Sequence, residues 1–130
     1  MRAAIATCLA VGAWACIGNS FIPSKEIAGG YALVHFEGTA YWIEKSGTHI
    51  RYGTDADPLY GQVLQIGWND SSIVYSRADL SGQRGWIIID LRDGRVEGPL
   101  TEQAFSRRRA AEPGIASVVL HPPDEAWKLL

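Results

Sequence analysis

Asp55 and Asp57 are the closest approach this 130-residue chain makes to a metal-ligand motif. Two carboxylates at that spacing begin a calcium site, but calcium takes six to eight oxygens. Neither glycine nor asparagine follows at calcium-loop spacing, and Pro58 comes directly after, so the pair reads as a solvated turn. The histidines, His35, His49 and His121, lack the grouped spacing of a zinc site. Asp90 and Asp93 lead into the Asp93-Gly94 turn and read as part of a structural joint rather than an acid–base pair. The chain holds two thiols, Cys8 and Cys16, both inside an apolar leader, which removes a nucleophilic cysteine from the body. No nucleophile elbow, zinc-protease pair, phosphate loop or dinucleotide fingerprint is present. These residues predict no catalytic site, no metal and no cofactor, and a binding task rather than an enzyme. A small enzyme of unfamiliar type is the least favoured reading.

Residues suited to binding gather on the first hairpins. A two-residue loop at Ser46-Gly47 sets Glu44 opposite His49, Ile43 opposite Ile50, and Trp42 opposite Arg51. Tyr41, Ile43, Ile50 and Tyr52 then share an apolar face. With Glu37–Ala40 as the connection before it, His35 falls opposite Trp42. His35, Trp42, Glu44, His49 and Arg51 are therefore the predicted partner surface. A Trp–Arg stack contributes about 0.5–1 kcal/mol, and both residue types are favoured interface anchors. The net charge is −2, and the positives are scattered apart from Arg107-Arg108-Arg109. No basic stripe for nucleic acid is present. The arginine run suits the end of a helix, with anionic lipid headgroups as the alternative contact.

Alternating apolar residues and turn signals predict about seven strands to carry these side chains. They are Tyr31–Phe36, Tyr41–Lys45, Thr48–Tyr52, Gln62–Trp68, Ser72–Arg77, Trp86–Leu91 and Arg95–Glu97. Leu91 faces Val96 across the Asp93-Gly94 turn, and Gly98-Pro99 ends the sheet. Thr101 caps a helix over 102–111, with Leu100 and Phe105 placed as a hydrophobic staple. Pro113-Gly114 stops it, and Phe105 anchors it to the sheet. Ile115–Leu120 is a short apolar run, and a last turn carries Trp127 and Leu130 to cover a sheet edge. The fold class is mainly β: antiparallel meander sheets, curled or packed as a pair, with a C-terminal helix on the sheet. The four strands from Gln62 to Glu97 resemble one blade of a β-propeller, and the first three strands echo its last three. Propellers need four to eight blades, so the likeness concerns local sheet construction.

Residues 1–18 differ from the rest. Met1-Arg2 followed by an apolar run to Ile17 has the form of an export signal, and the run falls short of the ~20 residues a membrane span needs. Ala13-Trp14-Ala15-Cys16 resembles a lipoprotein processing site, with Trp14 standing where a small residue is usual. Cys16 is the expected lipidation site, holding the domain to a membrane through its acyl chains. Residues 19–30 read as a tether, and residues 31–130 as a single β-rich domain. No cysteine lies beyond Cys16, so disulfides play no part in the body.

Trp86, Ile88, Ile89, Asp90, Gly94, Val96, Gly98, Pro99, Leu100, Thr101 and Phe105, together with the leader, resemble a set of small bacterial lipoproteins without assigned activity. The shared pattern is an aromatic-Ile-Ile-Asp strand, a Gly turn, Val-x-Gly-Pro-Leu-Thr and a helix with a Phe. The resemblance implies a location in the envelope of a Gram-negative-type cell, in the periplasm and on an inner or outer membrane. It implies no activity. The expected function is that of a membrane-tethered domain binding another envelope or periplasmic protein, in the manner of an immunity protein or inhibitor. An accessory subunit of an envelope complex is the alternative.

Overall fold

Period-two alternation builds two antiparallel meanders, each with one face turned to the other. The computed structural model of the chain describes residues 22–45 and 61–130. Strands β1 (Ser24–Ala28), β2 (Tyr31–Glu37) and β3 (Ala40–Lys45) form the first sheet in that order. Strands β4 (Gln62–Trp68), β5 (Ser72–Ala78), β6 (Arg84–Asp90) and β7 (Val96–Leu100) form the second. Helices α1 (Glu102–Ala111), α2 (Pro113–Ala116) and α3 (Pro123–Leu129) follow. The fold is mainly β, with its C-terminal helices packed against the sheets. The leader with Cys8 and Cys16, the strand at Thr48–Tyr52, and His49, Arg51, Asp55 and Asp57 lie outside the described residues.

The inner layer comes from alternate positions of both sheets. Leu33 pairs with Ile43, Ile73 with Ile89, and Tyr75 with Ile87. All six side chains are fully buried in one cluster, to which Ile66 and Val63 add the edge of β4. Complete burial of such a side chain contributes about 1.5–3 kcal/mol, so this layer dominates the stability. Intervening residues of the second sheet face the other way. Val74, Trp86 and Ile88 pack against Phe105, Ile115 and Val118, giving a third layer made by α1, α2 and the segment after them. Isoleucine at both alternating positions of β6 reflects a strand buried on both faces.

Helix α1 forms as its sequence demands. The Thr101 hydroxyl oxygen accepts from the Ala104 N–H at 3.1 Å, and Leu100 and Phe105 meet in the outer core. The Phe105 ring lies flat on Trp86, with centroids 3.9 Å apart and planes at 6°. That contact anchors the helix where Phe105 was expected to hold it.

Three boundaries differ from the sequence expectation. The presumed tether contains β1, whose residues pair with β2 from Ser24↔Val34 to Ala28↔Tyr31. Gly98-Pro99 does not end the sheet; β7 runs through a cis Gly98–Pro99 bond to Leu100, which pairs with Trp86. Pro is tolerated because β7 is an edge strand. A Cβ on Gly98 would lie 2.3 Å from the Trp86 carbonyl oxygen, and its φ is +118°, so both space and conformation require glycine. Finally, Val96 pairs with Ile89 rather than Leu91. The turn is longer than two residues: the Gly94 N–H donates to the Asp90 carbonyl and the Asp90 N–H to the Arg95 carbonyl, each at 2.8 Å.

The tail covers a sheet edge, though by other residues than expected. His121 and Ile66 exchange backbone hydrogen bonds of 2.8 and 2.9 Å, which closes the free side of β4. Trp127 and Leu130 instead pack against the core between the sheets.

Candidate functional site

The register of the first hairpin decides which of the predicted surface residues meet. β2 continues to Glu37, so Gly38-Thr39 alone makes the turn, and a bulge between His35 and Glu37 puts His35 opposite Tyr41. His35 therefore does not face Trp42. Its ring stacks on Tyr41 at 4.2 Å and 10°, its Nε2 lies 2.9 Å from the Gly38 carbonyl oxygen, and the Trp127 ring stands edge-on at 5.5 Å. Lys25 completes this group, donating to the Trp127 carbonyl at 3.1 Å with its Nζ 4.7 Å over the indole. Burial, and secondarily the Asp124 carboxylate, push the Tyr41 phenol above its ordinary pKa. These contacts lie at one end of the inter-sheet layer and serve to hold α3 there.

Trp42 and Glu44 remain together on the outer face of the first sheet, opposite Val34 and Ala32. The Phe36 ring stacks on Trp42 at 5.2 Å and 26°, and Phe36 keeps 38% of its surface exposed. Phe36 belongs to this surface although its place was not singled out in the sequence. Its signal was the alternation itself, which put Phe36 on the face of Ala32 and Val34.

The arginine run is largely committed within the fold. Arg108 donates to Glu97 at 3.0 Å and pairs with Glu112 at 3.1 Å, while Arg109 donates to the Val118 carbonyl at 3.0 Å. These bonds tie α1 to β7 and to the following segment, and Arg108 and Arg109 stand in the last turn of α1, where the macrodipole favours positive charge. Arg107 is exposed.

A second constellation lies on the outer face of the second sheet, where Gln65, Ser76, Trp86 and Leu100 stand in one cross-strand row. The Trp86 indole N–H donates to Glu102 Oε2 at 2.7 Å, fixing a carboxylate at the first position of α1. With Arg84 they line a groove of about 660 Å³. The sequence held no sign of this grouping, since a β4 bulge and the β7 register bring its members together.

Asp90 and Asp93 are turn residues in the structure. Asp90 accepts from the Arg92 backbone N–H at 2.9 Å and from its Nη2 at 2.8 Å, and Asp93 accepts from the Arg95 N–H at 2.9 Å. Among the described residues, no three His, Cys, Asp or Glu side chains are placed to hold a metal ion. No helix among them is long and apolar enough to cross a membrane. Comparison with known protein families, curated proteins and solved structures returns no match.

Proposed function

We propose that this chain is a membrane-tethered protein of the bacterial envelope, held by an acylated Cys16, that acts by binding another envelope or periplasmic protein. The observation that carries the reading is the Phe36–Trp42 stack on the outer face of the first sheet, with Glu44 on the same face. Stacked aromatic rings present a large contact area at low entropic cost, and such anchors dominate interface energetics. An immunity protein or inhibitor is the concrete form, because such a protein needs a rigid surface and no chemistry of its own.

The test is crosslinking and affinity purification of the tagged full chain from envelope extract, with Trp42→Ala alongside. A partner retained by the native chain and lost at least tenfold from a folded Trp42→Ala variant is expected. Equal retention by both would remove this surface as the site. Globomycin-sensitive processing that disappears in Cys16→Ala is the expected sign of the anchor.

A further inference from the structure

The third layer covers only part of the second sheet's outer face. Phe105, Ile115 and Val118 lie with Val74 and Ile88, while the neighbouring row through Gln65, Ser76 and Trp86 borders the open groove of about 660 Å³. That volume falls within the ~300–1,000 Å³ typical of small-ligand sites. Leu64, Trp86 and Leu100 give the groove apolar surface.

Two opposite charges line this surface without neutralising each other. Glu102 is oriented by the indole hydrogen bond to Oε2, and its other oxygen has no hydrogen-bond partner among the described residues. Arg84 is exposed and forms no ion pair with a described residue. A ligand carrying only a positive charge gains from Glu102 but meets repulsion from Arg84, and one carrying only a negative charge meets the reverse. A ligand with both charges on an apolar body satisfies both groups. We infer that this groove binds the zwitterionic form of an apolar amino acid or short peptide, its ammonium on Glu102 and its carboxylate on Arg84. This site is separate from the Phe36–Trp42 surface, which lies on the other sheet, and either can fail without the other.

The experiment is a titration of the ¹⁵N-labelled protein, reading the Trp86 indole N–H signal, identified by its absence in Trp86→Phe. Leucine and leucyl-leucine are added to roughly 10 mM, enough to occupy most of a site with a Kd of about 1 mM. Either ligand is expected to shift the signal saturably: a response to leucine assigns free amino acids, and one to leucyl-leucine alone assigns short peptides. N-acetylation and C-terminal amidation of the bound ligand should each weaken binding about tenfold, the scale of one charge-assisted hydrogen bond. Arg84→Ala should weaken the unmodified ligand about tenfold and leave its amide unchanged. Glu102→Gln, which keeps an acceptor for the indole, should do the same for the unmodified ligand and leave its N-acetyl form unchanged. No shift, equal binding of the blocked ligands, or dependence on only one of the two charges would overturn the inference.

Discussion

Asp90 closes the turn after β6, and its side-chain bonds to Arg92, reinforced by the Arg92 backbone N–H, hold its carboxyl at about 2. An unperturbed aspartate titrates near ~3.9. The folded value is the lower one, so the ion pair stabilises the fold above the unfolded pKa. That contribution disappears as the pH falls from about 4 through about 2. Because the Asp90 side chain keeps 26% of its surface exposed, salt screening reduces the effect. In a carboxyl NMR titration the Asp90 midpoint is expected at about 2 in the native chain, moving back toward the ordinary aspartate range in Arg92→Ala. An unmoved midpoint in that variant would show that Arg92 is not the cause. The turn role of Asp90 was legible because Gly94 sits just beyond it. The Trp86–Glu102 contact was not, since its members lie sixteen positions apart in sequence and meet only through the pairing of β6 with β7.

At the scale of elements, alternation identified β4 through β6 closely because Ile, Val, Tyr and Trp dominate those strands. β1 escaped because Ser24-Lys25-Glu26-Ile27-Ala28 carries two charges between Pro23 and Gly29-Gly30, all signals of a connecting segment. Pairing with β2 overrides that local preference. Gly67 shows a different limit of sequence reading. It lies in a strand with ordinary backbone angles, yet a Cβ there would sit 2.1 Å from the Val119 carbonyl oxygen and 2.6 Å from Val118 Cγ1. The residue is glycine because the segment after α2 crosses the sheet against it. Gly67→Ala is therefore predicted to cost about 1–3 kcal/mol, the usual range for overpacking, with faster amide exchange at His121. A urea midpoint equal to that of the native chain would show that the crossing relaxes freely.

The described residues form three layers, and the first hairpin shows why only part of the partner surface is legible in its sequence. Alternation grouped the residues of β2 and of β3 correctly, but the Gly38-Thr39 turn and one bulge turn β2 over: Leu33 and His35 lie on the side of Ile43 and Tyr41, and Phe36 stands beside Trp42. At this scale Trp127 is the test of cohesion, because Lys25 and the rings of His35 and Tyr41 gather around it at one end of the inter-sheet layer. Trp127→Ala is expected to lower stability by about 3 kcal/mol, read as a fall in the thermal midpoint. The neighbouring exposed Lys128→Ala should leave that midpoint within a degree or two, about the response to a surface change. A small effect at Trp127 would mean that the two sheets cohere without α3. The His121–Ile66 bridge has a consequence for biosynthesis as well. Every described strand is made before the segment that bridges to β4, so during synthesis Ile66 lacks that partner until His121 emerges. An unpaired stretch of edge in that interval is a template for pairing with another chain, and the His121–Ile66 bridge removes it there.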